Sequence, residues 1–210
     1  MVRKILLVCG FLSSLLYVAT DILGGMLYEG YSFTSQAISE LGAIGAPSKP
    51  FLDVLMLVYA VLLFLFGTGV WRSAGQKRVL RVVAGLLLGI AINGFVWSFF
   101  PMHMRGSEPT FTDTMHIIHA GIASLLILIA MGFGAAAFGK RFRLYSIATI
   151  LILLVSGALL SLDARRMQAN LPTPWVGVTE RVNVYGYLLW VAVLAIILLR
   201  EREWVVEFRR

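Results

Sequence analysis

Asp113, His116 and His119 form the pattern D-x-x-H-x-x-H. On a helix each step of three residues turns about 300°, so the three side chains fan across roughly 120° of one face. Neighbours within such a set can share one metal ion, and His103, Glu180, Asp163 or Asp21 could supply a further ligand. Zinc commonly takes His and carboxylate ligands and leaves a fourth position for water. That water becomes a nucleophile near neutral pH, with Asp113 or Glu180 as the base. The competing reading is structural: histidines at a membrane surface that hydrogen-bond water or loop carbonyls. His-x-x-His lacks the discriminating context of a metalloprotease H-E-x-x-H. His103 lies between Met102 and Met104. Thioethers with an imidazole suit copper, and alternating Met residues equally suit interface packing.

A second group of polar residues surrounds these. Asp21 lies six residues before the end of a long apolar run, roughly 9 Å inside it at the helical rise of 1.5 Å per residue. A carboxylate at that depth is costly toward lipid, so it should face the bundle interior with a partner. Arg105, Arg181 and the histidines are the candidates. Glu180, Arg181 and Asn183 open the last apolar run, Ser39 and Glu40 belong to a patterned loop, and Asn93 is a lone amide in an apolar segment. With Asp163 these are the candidate binding residues.

The elements that must position them are apolar helices. A span needs about 20 mostly apolar residues, and the chain has six such segments, at about 5–27, 51–71, 79–100, 114–138, 144–162 and 182–200. The last is the shortest and uses the residues from Val182 to Trp190 as its interfacial end. Backbone polar groups must be satisfied within lipid, which makes the segments helices, and their continuity excludes the alternation of a membrane barrel. Only 14% of residues are charged, against about a quarter in soluble domains. The fold class is therefore all-α, a single six-helix transmembrane domain over residues 1–210. Arg3, Lys4, Arg72, Lys77, Arg78, Arg81, Lys140, Arg141, Arg143 and the arginines of the C-terminal tail lie on one side of these spans. By the positive-inside rule both termini are predicted to be cytoplasmic, in the cell (inner) membrane. The net charge of +7 follows from this asymmetry, reads as contact with anionic headgroups and is no nucleic-acid footprint. The N-terminal run continues past the length of a signal-peptide core and is read as a retained span.

On the other side lie all three histidines and most of the acids. The loop 28–50 places Phe33, Ala37, Ile38 and Leu41 at helical spacing, which predicts an amphipathic helix lying in the interface. Thr110 or Thr112 is predicted to cap the fourth helix, with Asp113 in its first turn. Trp175, Tyr185, Tyr187 and Trp190 suit an aromatic belt. Gly85 and Gly89 suit close helix packing. Cys9, the one cysteine, excludes a disulfide framework and an iron–sulfur ligand set.

The segments YSFTSQAISELGAIGAP, FPMHMRG with TDTMHIIHAG, and GVTERVNVYGYLLW together resemble the bacterial and archaeal membrane family called domain of unknown function 998 (DUF998). The resemblance covers nearly the whole chain and implies the fold without an activity. A fainter likeness, of chemistry alone, is to alkaline-ceramidase-like membrane hydrolases. Those resemble a bundle holding zinc with three histidines, an aspartate and a serine. The chain departs from them in its helix count and lacks their H-x-x-x-H pair.

Three functional expectations follow. The first is a polar pocket in the outer leaflet, built from Asp21, Ser39, Glu40, Asn93, His103, Arg105, Asp163, Arg181 and Asn183, that binds a lipid headgroup or small amphiphile. The protein would then be a binding or accessory component, with membrane lipids and a membrane-protein partner or second copy as its partners. The second is a membrane-embedded hydrolase with zinc on His116 and His119. The third is a small transporter or proton relay using Asp21.

Overall fold

The computed structural model describes the backbone of residues 1–207 and the side chains of residues 1–200. Six helices follow one another: α1 (Val2–Met26), α2 (Lys49–Ala74), α3 (Arg78–Trp97), α4 (Phe111–Ala137), α5 (Lys140–Gln168) and α6 (Val176–Glu207). All six are long and apolar enough to cross a membrane. No strand occurs among the described residues, only an isolated bridge between Ile44 and His103. Each helix packs on the next in sequence, and α1 packs on α6 to close the ring. Antiparallel neighbours follow directly from the short connections 75–77 and 138–139.

α5 and α6 extend beyond their apolar runs at the end of the bundle where the longer connections lie. α6 continues to Glu207 at its other end. The side chains of the C-terminal tail beyond residue 200, whose arginines are expected on the basic side of the spans, lie outside the described residues.

Trp190, fully buried, is the centre of the core. It packs beside Phe142 of α5, its indole N–H donates to the Ser146 hydroxyl at 2.9 Å, and a Cβ at Gly134 of α4 would stand 2.5 Å from its ring. The aromatic belt is therefore reduced. Trp190 and Tyr187 are interior, and of the four expected belt residues Trp175 alone is strongly exposed. Close backbone approach occurs at Gly69, where a Cβ would meet the Leu6 side chain at 2.9 Å and its backbone at 3.0 Å. Gly85 faces open space instead, so the expected glycine pair does not make the tight contact.

The longer connections, 27–48, 98–110 and 169–175, share one end of the bundle, here termed the loop end. The predicted interfacial amphipathic helix is absent. Residues 28–37 form turns, and Ile38–Gly42 is a short 3-10 helix. Ala37, Ile38, Leu41 and Ala43 are buried where this segment packs on α1, α2 and α6. The apolar periodicity was satisfied by three neighbouring helices, so the segment became a plug in the bundle mouth.

Candidate functional site

The polar residues of the loop end form two groups. The first is built on arginines. Arg181, in the first turns of α6, donates from Nη2 to Asp21 Oδ1 at 2.7 Å and from Nε to Asp21 Oδ2 at 2.9 Å. Asp21 is wholly buried on α1, and its Oδ2 also accepts from the Tyr185 hydroxyl. The remaining N–H groups of Arg181 reach the carbonyls of Phe33 (2.7 Å) and Gly177 (3.1 Å) and the Tyr31 hydroxyl (2.8 Å). Its guanidinium also lies over the Phe33 ring, 4.8 Å from the centroid. Tyr31 in turn donates to the Ala37 carbonyl at 2.8 Å. Burial raises the Tyr31 phenol above its ordinary range, which keeps it a donor.

A parallel pair locks the other side of the plug. Arg105, from the loop 98–110, meets Glu40 in fork geometry, Nε to Oε2 at 2.7 Å and Nη2 to Oε1 at 2.6 Å. It also donates to the Ser35 carbonyl (2.8 Å) and to the Thr173 hydroxyl (2.6 Å). Glu40 further accepts from the Ala37 N–H, and Glu180 accepts from the Ile38 N–H. The Thr34 carbonyl accepts from the N–H groups of Gly177 (2.9 Å) and Val178 (3.3 Å). These are orphan donors of a helix start, so the plug caps α6. A Cβ at Gly177 would stand 2.3 Å from the Gln36 carbonyl oxygen and 2.5 Å from that of Phe33. The glycine is needed for this approach. Every nitrogen of both guanidiniums is engaged by the protein itself.

The second group is built on imidazoles, at the corner of α3, the loop 98–110 and α4. Asp113 accepts from the His103 main-chain N–H (2.7 Å), the Thr110 N–H (2.9 Å) and the Thr110 hydroxyl (2.7 Å), and lies 2.9 Å from His103 Nδ1. Thr110 is the residue preceding α4, so Asp113 ties the helix start and the histidine loop together. One turn on, the Trp97 indole N–H donates to His116 Nδ1 at 2.8 Å, and the Phe100 carbonyl lies 3.0 Å from the same nitrogen. One of these two contacts holds at a time, according to which ring nitrogen carries the proton.

His119 is the most buried of the three, at 8% exposure. The Asn93 amide donates from Nδ2 to the His119 main-chain carbonyl at 3.1 Å, and Asn93 Oδ1 lies 2.7 Å from His119 Nδ1. A carbonyl can only accept, which fixes the orientation of the amide. Oδ1 therefore accepts and Nδ1 carries the proton. The Phe100 ring stacks on the imidazole at 5.4 Å and 14°. Nε2 is left as a lone-pair acceptor, buried and without a hydrogen-bond partner among the described residues.

The sequence-predicted residues thus divide. Asp21, Glu40, Arg105, Arg181 and Glu180 come together around the plug, and Asn93, His103, Asp113, His116 and His119 come together at the α3–α4 corner. Asn183 bridges α6 to α5 through the Leu153 carbonyl and the Ser156 hydroxyl. Ser39 and Asp163 are half-buried and join neither group. The residues expected to hold zinc are not assembled: no set of three or more His, Cys, Asp or Glu residues among the described ones stands where it could hold a metal ion. Asp21 is held by Arg181, Glu180 by the Ile38 N–H, and Asp113 by His103 and Thr110, so no carboxylate joins His116 and His119 in such a set. Tyr31, Tyr185, Thr173, Trp97 and Phe100 were not among the candidates. The polar partners of Tyr31, Tyr185 and Thr173 (Arg181, Asp21 and Arg105) lie far away along the chain, and Trp97 and Phe100 meet His116 only where α4 folds back on α3.

Fold and polar ends together define a multi-pass α-helical membrane protein. A model of the family described as "Protein of unknown function (DUF998)" matches residues 11–197. The chain belongs to that family. Comparison with curated proteins and with solved structures returned no match.

Proposed function

We propose that the protein binds a membrane amphiphile at its loop end, in a binding or accessory role. In this reading the imidazoles of the α3–α4 corner recognise the headgroup, and the arginine–carboxylate pairs are the scaffold that holds the plug. The observation that carries it is the buried, unpartnered Nε2 of His119. A buried polar atom without a partner costs stability, and a bound group that donates to it offsets that cost. Phe95, Phe99, Phe111, Ile117 and Ile118 are exposed around the same corner and suit acyl chains lying against it. The basic residues at the opposite end favour a cell (inner) membrane orientation with both termini cytoplasmic.

The geometry favours this over the two alternatives. A zinc hydrolase needs a ligand set that the described residues do not form. A proton relay needs a carboxylate that exchanges with water, whereas Asp21 is wholly buried and held by Arg181 in a two-bond fork. The test is lipid extraction and mass spectrometry of protein purified in mild detergent, comparing the wild type with His119→Phe. The reading expects an amphiphile retained in stoichiometric amount by the wild type and depleted in the folded variant. Equal retention by both contradicts it.

A further inference from the structure

We infer that the group recognised at the corner is a neutral hydroxyl donor, and not an anionic phosphate. This rests on the amphiphile-binding reading above and narrows it to a ligand class. The argument is one of complementary hydrogen-bond roles. An anionic headgroup needs donors, and the two half-buried arginines that hold the plug have every nitrogen engaged: Arg105 by Glu40, Ser35 and Thr173, Arg181 by Asp21, Tyr31 and main-chain carbonyls. At His119 the polarity is reversed. Asn93 holds the proton of His119 on Nδ1, so Nε2 presents a lone pair. A phosphate oxygen would meet that lone pair with its own and be repelled. An ammonium group would need a carboxylate to balance it, and the nearest acid in this group, Asp113, already accepts from His103 and Thr110. A hydroxyl satisfies Nε2 with one neutral hydrogen bond. Its carbon skeleton can lie beside Phe100, whose ring already covers the imidazole face.

The experiment uses the whole protein with ¹⁵N-labelled histidine, in nanodiscs of dioleoylphosphatidylcholine, whose headgroup has no hydrogen-bond donor. Three probes are added separately: dioleoylglycerol, with one free hydroxyl; its acetyl ester, with none; and dioleoylphosphatidylmethanol, an anionic phosphate diester without a hydroxyl. The expected result is a saturable shift of the His119 Nε2 resonance with dioleoylglycerol alone. Asn93→Leu frees the tautomer and is expected to weaken that binding about tenfold, the equivalent of one neutral hydrogen bond. If the anionic probe binds and dioleoylglycerol does not, the hydroxyl assignment is overturned while amphiphile binding stands. If no probe moves any corner resonance, both are overturned. If Nε2 already has the shift of a hydrogen-bonded nitrogen in phosphatidylcholine alone, and dioleoylglycerol leaves it unchanged, water is its partner and the inference is wrong.

Discussion

Replacing Asp21 by leucine perturbs the buried fork with Arg181 and leaves the shape of the α1 surface nearly intact. The carboxylate is fully buried and the Arg181 side chain is 13% exposed. Removing one partner of such a pair strands the other charge, at a cost of about 3–5 kcal/mol. Arg181→Met should cost at least as much. It strands Asp21 with the Tyr185 hydroxyl and also releases the carbonyls of Phe33 and Gly177, each bond to the charged guanidinium being worth roughly 1.5 kcal/mol or more. The decisive variant is the double one. With both charges gone nothing is stranded, so the double variant should fall short of additivity by about 2–3 kcal/mol. The assay is reversible SDS unfolding in mixed micelles, followed by circular dichroism, together with proteolysis of the loop 27–48. The single variants should unfold at lower SDS fractions and become cleavable within 33–38. If Asp21→Leu unfolds within about 0.5 kcal/mol of the wild type, the usual range for surface substitutions, Asp21 does not anchor the plug. Strict additivity would likewise refute the argument.

Gly177→Ala should destabilise by about 1–3 kcal/mol, as overpacked sites do, because its Cβ meets main-chain oxygens at 2.3 and 2.5 Å; the thermal midpoint reads this, and an unchanged midpoint would contradict the close approach. Asp113→Ala should cost about 1–2 kcal/mol through loss of the helix-start bonds and release the His103 ring, seen as faster modification by diethylpyrocarbonate; an unchanged His103 reactivity would argue that the ring is not held. With Cys9 replaced by alanine, a cysteine at Ser107 should react with a membrane-impermeant maleimide from outside intact cells and one at Gln76 should not; the reverse pattern would invert the orientation.

The helices were legible because a bilayer demands long apolar runs, and the sequence has six of them. Asp113, His116 and His119 were legible as a unit because helical spacing is local: they do open α4 along one face. Which acid meets which arginine was not. Asp21 and Arg181 are 160 residues apart, and Glu40 and Arg105 are 65 apart, so only the closed ring of helices brings them together. The same non-local packing hid the plug. Phe33, Ala37, Ile38 and Leu41 carry helical periodicity, but contacts from α1, α2 and α6 decided their conformation instead of an interface with lipid. Tyr185 read as a belt residue because its hydroxyl had no visible partner, and its partner turned out to be Asp21. Spacing also does not encode which carboxylates approach the histidines. His116 and His119 share a helix face, but Asp21 is held by Arg181 and Glu180 by the Ile38 N–H, and no set of three or more His, Cys, Asp or Glu assembles among the described residues.

The most direct test of the account is a density map of the protein purified in mild detergent with its native lipid, read at the corner between Asn93, Phe100 and His119. The account predicts density for an amphiphile whose polar end lies within hydrogen-bond distance of His119 Nε2 and whose chains run along α3 and α4. A corner filled by side chains and water alone, or a metal ion bound there by the histidines, would contradict it.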